Sequence, residues 1–204
     1  MAKFSMTKDL TTVTLFIFNL KVLSAEPSCP VVLNRTNEVP RCRYEICFYR
    51  ATMVINGGSS VQLTTSNRSS AGQVMYKKPI KLMEGNPLIF PSFSTILSFS
   101  LSNQSGDGLA FFMVPKSYHF IDMGKRSFGL SKIGLHTSKF RVVVVEFDTS
   151  LDPEYGDFNG NHVGITVDNL LSVKFCNISF QNMFLNSGKK LVSWVDYDAS
   201  AKRL

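Results

Sequence analysis

The sequence predicts an all-β fold, a sandwich of packed antiparallel sheets. In residues 93–101 one face of an extended chain would carry mostly large apolar residues and the other face serines, which is the pattern of a half-buried strand. The first face consists of Phe93, Thr95, Leu97, Phe99 and Leu101, and the second includes Ser94, Ser98 and Ser100. Residues 109–114 are apolar at every position, as in a strand covered on both faces where two sheets pack. No stretch shows the period of a long amphipathic helix. The 204 residues, 44% of them hydrophobic, suit one sandwich domain of roughly 200–250 residues.

The N-terminal residues 1–25 are predicted to be a secretory signal peptide. Lys3 and Lys8 precede an apolar run from Leu10 to Leu20, and Ser24-Ala25 precede a polar segment. The run is too short and too polar for a membrane span. We therefore expect a secreted protein, and the alternative is a disordered N-terminus on a cytosolic chain.

Secretion agrees with the presence of Asn-x-Ser/Thr sequons, which are acceptors for N-glycosylation in secreted proteins. The candidate glycosylation sites are Asn34, Asn67, Asn103 and Asn177.

Three of the four cysteines, Cys29, Cys42 and Cys47, lie within residues 26–50, and Cys176 stands apart. Four cysteines allow three disulfide pairings in an oxidising compartment, and Cys42–Cys47 is one candidate pair. A zinc site is not expected, because no histidine or second cysteine pair lies at ligand spacing.

A β-hairpin is predicted after residue 51. Met53, Val54 and Ile55 precede the turn sequence Asn56-Gly57-Gly58, and apolar residues alternate again from Val61.

The most informative stretch is residues 140–168. The run Val142 to Val145 predicts a strand that opens into a loop of acidic residues with one histidine, and a second strand follows from Val163. Carboxylates suit Ca²⁺, and carboxylates with one imidazole suit Mn²⁺ or another transition ion. The alternative is a loop of solvated acids. The candidate metal donors are Glu146, Asp148, Asp152, Asp157 and His162.

This loop resembles the Mn²⁺/Ca²⁺ loop of the legume (L-type) lectins, especially the lectin domains of plant lectin receptor kinases. Further motifs of the family follow in order, over roughly residues 51 to 204. The matching segments are Glu146-Phe147-Asp148-Thr149, Gly156-Asp157, Asn161-His162-Val163-Gly164-Ile165, Ala71-Gly72-Gln73-Val74-Met75-Tyr76, Phe93-Ser94-Thr95, Gly106-Asp107-Gly108-Leu109-Ala110-Phe111-Phe112, Phe128-Gly129-Leu130 and Trp194-Val195-Asp196-Tyr197-Asp198.

The resemblance implies a concanavalin-A-like jelly-roll sandwich. Residues 51–204 would form the lectin-like domain, and residues 26–50 would be a divergent segment that contains cysteines. The family continues beyond the position of Leu204 with further strands, so we expect a C-terminally truncated domain without a kinase. The product would fold as an incomplete sandwich with unpaired edges, pair with another chain, for example in a homo-oligomer, or be a marginal gene fragment.

The resemblance also implies two ions as cofactors, Ca²⁺ and Mn²⁺, which do no chemistry but fix the loops that shape a shallow sugar site. The implied Mn²⁺ ligands are Glu146, Asp148, Asp157 and His162. The implied Ca²⁺ ligands are Asp148, Asp152, Asp157 and the backbone carbonyl of Ser150.

A carbohydrate ligand is implied as the partner, with Asp107 as hydrogen-bond acceptor and the backbone N–H of Arg126 as donor. Asp152 stands where the family has an asparagine, and a carboxylate has no N–H to donate. Ser150 stands where the family has an aromatic platform. We therefore expect weak or lost sugar affinity in a secreted, apoplastic lectin-like protein.

Other functions fit less well. The net charge of +7 comes from scattered basic residues without interleaved aromatics, so nucleic-acid binding is not expected. Trp194 is expected to pack in the core, and His119 and His136 are expected in surface loops. A non-sugar interaction or assembly module remains an alternative. A glycoside hydrolase needs two carboxylates facing each other across the bond, and Glu146 and Asp148 are assigned to metal, so no enzyme is expected.

Overall fold

The computed structural model describes residues 13–15, 41–43, 46–65, 70–79, 91–103, 106–115, 142–153, 156–167 and 172–204. Within these ranges the structure confirms the predicted all-β fold. The strands are β1 Val13–Leu15, β2 Arg41–Arg43, β3 Ile46–Arg50, β4 Met53–Ile55, β5 Ser60–Gln62, β6 Gly72–Tyr76, β7 Phe93–Phe99, β8 Gly108–Pro115, β9 Val143–Asp148, β10 His162–Val167, β11 Ser172–Asn177 and β12 Leu191–Tyr197. Short 3-10 turns lie at Asn56–Gly58 and Ile178–Gln181.

The largest sheet has the strand order β1-β8-β9-β10-β11, and each neighbouring pair is antiparallel. Its register places Gly108, Asp148, His162 and Asn177 in one row across β8 to β11. Polar residues at the ends of separate strands therefore meet at one end of this sheet.

A second, two-stranded sheet consists of β7 and β12. Its inward residues Leu97 and Val195 are buried, and Phe99 packs against Phe147 of the large sheet with ring centroids 4.7 Å apart. The alternation predicted for residues 93–101 is confirmed, because side chains on one face of β7 join the core that lies between the two sheets. Buried apolar side chains from both faces of β8 likewise confirm the prediction for residues 109–114.

Trp194 contradicts its predicted place in the core. Its side chain is 61% exposed and lies opposite Ile96, which is 38% exposed, on the outer face of the β7–β12 sheet. The inward positions of β12 belong to Val195 and Tyr197, so the alternation of the strand turns Trp194 to solvent.

The smaller sheets pair β2, β3 and β6, and β4 with β5. The β4–β5 pair is the predicted hairpin. Cys42 and Cys47 face each other across β2 and β3 and form a disulfide, which is one of the pairings left open by the sequence. Cys176 is free and exposed, and Cys29 lies outside the described residues.

Strand β1 belongs to the predicted signal peptide, and it pairs with the end of β8. Cleavage after residue 25 would remove β1, and the signal peptide itself stays a prediction. Over the ranges given above, the structure contains no helix of the length and apolarity that a membrane crossing requires.

Candidate metal centre and sugar-binding loops

The loop between β9 and β10 brings three ligand-type side chains together. Asp148 is the last residue of β9 and His162 the first of β10, and the register pairs them directly. Asp157 comes from the loop, and the ligand atoms of the three side chains all lie within 4.8 Å of one another. Two carboxylates and one imidazole form a donor set that suits a divalent cation.

A hydrogen bond from the ring of His162 fixes its tautomer. Its Nδ1 lies 2.9 Å from the carbonyl oxygen of Asn159, and a carbonyl only accepts, so Nδ1 carries the proton and donates. In the neutral ring the lone pair is then on Nε2, which lies 3.6 Å from Asp157 Oδ1. A lone pair facing a carboxylate oxygen is favourable only with a cation or proton between them. The ring orientation therefore fits a metal ligand held by a backbone carbonyl.

Burial makes the charge on Asp148 costly in the absence of a cation. The pKa of this carboxyl is raised from 3.8 to about 7, mainly because burial desolvates it and, to a smaller extent, because the carboxylates of Asp157 and Glu146 lie nearby. The Ser150 N–H and His162 act in the opposite direction but do not offset the burial. A bound cation would relieve this cost, since it favours the ionised carboxylate.

Backbone hydrogen bonds fold the loop around these carboxylates. The Ser150 N–H donates to Asp148 Oδ1 at 2.7 Å, and the Asp152 N–H donates to Asp157 Oδ2 at 3.1 Å. Gly160 packs against the same segment, because a Cβ at this position would lie 3.1 Å from the Ser150 carbonyl carbon. The second half of the loop therefore approaches the first half closely, and a larger residue at position 160 would crowd it.

Two predicted ligands lie near the cluster without belonging to it. Glu146 is buried two residues before Asp148 on the same face of β9, and Asp152 is half-buried in the loop. Among the described His, Cys, Asp and Glu side chains, only those of Asp148, Asp157 and His162 lie close enough together to share one ion.

The predicted sugar acceptor Asp107 lies directly before β8, beside the metal loop. The Thr149 N–H donates to the Asp107 carbonyl at 3.3 Å, and the Thr149 hydroxyl donates to the Gly106 carbonyl at 2.7 Å. Thr149 therefore links the loop of the predicted acceptor to the candidate metal centre. Arg126, the predicted backbone donor, lies outside the described residues.

Sequence reasoning named Asn161 only as part of a family motif and missed its role, which is to tie the metal loop to the turn after β11. Its Nδ2 donates to Ser179 Oγ and to the Met183 carbonyl, both at 2.8 Å, and its Oδ1 accepts from the Leu185 N–H at 3.0 Å. The Asn-Gly-Asn run before His162 was a turn signal, but the partners lie on a distant segment.

A two-sheet β-sandwich with a carboxylate and imidazole centre on a hairpin loop matches a known class. The family model of the legume lectin domain matches residues 41–204. The chain belongs to this family, whose shared lectin domain is a carbohydrate-binding unit without enzymatic activity, and the prediction that this domain is not an enzyme is confirmed.

Curated relatives include plant receptor kinases and a plant lectin. The chain is 38% identical over 140 residues to the probable L-type lectin-domain containing receptor kinase S.7 of Arabidopsis thaliana, covering 63% of this chain and 20% of that protein. It is 35% identical over 153 residues to the Flt3 receptor-interacting lectin of Lablab purpureus, covering 67% of this chain and 54% of that lectin. The chain thus spans about a fifth of the receptor kinase and about half of the lectin.

Solved lectin structures share the fold. The basic winged bean lectin with Tn-antigen superposes with a TM-score of 0.63 at 27% identity, covering 76% of this chain and 65% of that chain. The metal-free form of lectin I-B4 from Griffonia simplicifolia gives a TM-score of 0.59 at 27% identity, covering 76% and 69%. The predicted family and the predicted sandwich class are both confirmed.

Proposed function

We propose that this protein is a secreted, glycosylated lectin that binds carbohydrate weakly through loops fixed by Ca²⁺ and Mn²⁺. The observation that carries the proposal is the cluster of Asp148, Asp157 and His162, which Thr149 joins to the loop of Asp107. Family membership supports carbohydrate binding as the general activity.

The Mn²⁺ site would consist of Glu146, Asp148, Asp157 and His162. The Ca²⁺ site would consist of Asp148, Asp152, Asp157 and the Ser150 carbonyl. The ions would supply positive charge that neutralises the buried carboxylates. The burial of Asp148 and the fixed tautomer of His162 support this assignment.

The sugar would bind beside this centre. The Asp107 carboxylate would accept hydrogen bonds from sugar hydroxyls, and the Arg126 N–H would donate one. Asp152 offers no N–H, and leaving a polar group unpaired costs on the order of 1–3 kcal/mol. Ser150 offers no aromatic surface for the sugar ring. Both residues support weak affinity.

Restoring the two missing features tests this proposal. A glycan array is probed with the full chain, with Asp152→Asn, and with the double variant Ser150→Phe, Asp152→Asn, each with Ca²⁺ and Mn²⁺ and again with EDTA. We expect the double variant to bind at least about tenfold more tightly than the parent, because about 1.4 kcal/mol is a factor of ten. Signals that persist in EDTA, or a double variant without any signal, would contradict the proposal.

The predicted signal peptide and sequons support secretion to the apoplast, and the receptor kinase relatives agree with an extracellular location. Expression of the full chain in plant cells, followed by detection in the apoplastic fluid, tests this part. Retention of the entire product in the cytosol would contradict it.

A second candidate function is a non-sugar assembly module, such as a homo-oligomer subunit. One observation favours it: Ile96, Val192 and Trp194 are all exposed on the outer face of the β7–β12 sheet. Sedimentation of the parent and of Trp194→Ser over a range of concentrations tests this candidate. A parent that stays monomeric at every concentration would remove it.

A further inference from the structure

We propose that Asn177 carries an N-linked glycan whose first sugar packs on the exposed aromatic pair of Phe158 and Phe175, at the edge of the candidate metal centre. The inference rests on the secretion part of the proposed function, because the glycan is attached in the secretory pathway. It goes beyond that function in assigning the occupant of an exposed apolar surface.

The amide of Asn177 is presented for modification. Asn177 is the last residue of β11, and its Oδ1 accepts a hydrogen bond from the Ser179 N–H at 2.9 Å. Within the described part of the chain, its Nδ2 makes no hydrogen bond. The carbonyl side of the amide is held in place, and the nitrogen that would carry the sugar is free.

The aromatic pair lies on the same face of the strand. Phe175 and Asn177 are two residues apart on β11, so their side chains point to one side of the sheet. Phe175 is 53% exposed and Phe158 is 45% exposed, and their ring centroids are 4.4 Å apart. Single exposed apolar residues need no explanation, but two touching phenylalanines form a patch that a partner group would cover.

A glycan on Asn177 fits this patch better than a separate molecule. One face of a pyranose ring consists of C–H groups, which pack on aromatic rings and remove apolar surface from water. The attached sugar is tethered beside Phe175, so its effective concentration there is high and no loss of translational freedom opposes the contact. Phe175 lies opposite Gly164 on β10, and a glycine has no side chain to compete for the space.

Asn103 provides an internal comparison. It is exposed and starts another sequon, but the residue two positions before it is the half-buried Leu101 instead of an exposed aromatic. A glycan on Asn103 would therefore lack the platform that Phe175 provides.

The covalent step requires an oligosaccharide donor of the lipid-diphosphate class. The Asn177 Nδ2 attacks the anomeric carbon of the donor, and a C–N bond forms as the C–O bond to the diphosphate breaks. The lipid diphosphate leaves with the bonding electron pair, and the amide nitrogen gives up one proton. No electrons are gained or lost overall.

The test uses the full chain secreted from plant cells, with its own N-terminus and with a heterologous secretory leader placed before it. Glycopeptide mass spectrometry gives the occupancy of each sequon. Thermal melting is then compared for Asn177→Asp, which keeps the acceptor oxygen and removes the sequon, and for Asn103→Asp; Ser179 is left unchanged because its hydroxyl accepts a hydrogen bond from Asn161. Each change is made in the parent and in Phe175→Ser.

We expect an occupied Asn177, and a melting temperature about 2–4 °C lower when the sequon is removed from the parent. Removing the Asn177 sequon should change the melting temperature little in the Phe175→Ser background. Asn103→Asp should change the melting temperature by the same amount in both backgrounds. Asn177 without a glycan in the leader version, where Asn103 is occupied, would overturn the inference. An equal loss of melting temperature in both backgrounds would also overturn the inference. The patch would then be left for another occupant, such as a protein partner.

A failure of the secretion proposal gives a result that differs from a failure of the glycan contact. If every sequon is empty with the native N-terminus, but Asn177 is occupied and coupled to Phe175 in the leader version, the secretion part of the proposed function is wrong. The glycan contact itself would then stand.

Discussion

Thr149 holds the loop of Asp107 against the candidate metal centre, through its N–H to the Asp107 carbonyl and its hydroxyl to the Gly106 carbonyl. Thr149 directly follows Asp148, which belongs to the ligand cluster. A single residue, Thr149, therefore connects the metal loop to the loop that carries the predicted sugar acceptor.

The Thr149 hydroxyl gives the first prediction. Thr149→Val keeps the shape of the side chain and removes the hydrogen bond to Gly106, which should lower the free energy of unfolding by about 0.5–1.5 kcal/mol. Urea unfolding measures the stability, and amide exchange should become faster in residues 106–108. Thr149→Ser retains the hydroxyl and serves as the control. Equal stabilities of Thr149→Val and the parent would show that the bond contributes nothing.

Asn161 gives a larger expected loss, since its side chain makes three hydrogen bonds to the turn after β11. Asn161→Ala should destabilise the fold by about 2–4 kcal/mol, the sum of three bonds at about 1 kcal/mol each. Gln181→Ala, on the exposed surface of the same turn, is the control and should be nearly neutral. Denaturant titration of both variants compares them, and similar midpoints would refute this role of Asn161.

The pH dependence of stability follows from Asp148, whose pKa burial raises from 3.8 to about 7. Between these values the folded state binds more protons than the unfolded chain, so stability in EDTA should fall as the pH rises from about 4 to about 7. Asp148→Asn cannot titrate and should show a weaker fall. Denaturant unfolding at several pH values checks this, and a parent that gains stability over the same range relative to Asp148→Asn would contradict the assignment.

Neighbouring residues of β7 test the orientation of the second sheet. Leu97 is fully buried in the core, so Leu97→Ala should cost about 2–5 kcal/mol. Ile96 points to the outer face, and Ile96→Ala should cost less than about 1 kcal/mol at a protein concentration too low for association. Thermal unfolding ranks the two variants, and the reverse order would mean that the faces are misassigned.

Periodicity and motif spacing were enough to predict the fold class and the strands around the metal loop. Alternation in β7 and the apolar run of β8 depend on local sequence, so they could be read directly. The exposure of Trp194 could not be read this way, because hydrophobicity does not decide which face of a strand meets the core. The family motif that contains it says nothing about its environment.

The candidate site likewise contains residues that the sequence could predict and residues whose roles needed the structure. Asp148, Asp157 and His162 were identified from spacing and resemblance, because the ligands lie on one hairpin. Asn161 acts through residues 18 to 24 positions further along the chain, so its role required the folded structure. The aromatic pair also joins two segments, and only the register of β10 and β11 brings them side by side.

The most direct test of the proposed metal loop is the ion content of the purified chain. The parent and Asp148→Asn are dialysed to equilibrium against buffer that contains Ca²⁺ and Mn²⁺, and bound metal is determined by elemental analysis. We expect about one Ca²⁺ and one Mn²⁺ for each parent chain, because two ions would share Asp148 and Asp157. Asp148→Asn should retain neither ion. A folded parent that binds no more Ca²⁺ and Mn²⁺ than Asp148→Asn would contradict the proposed metal loop.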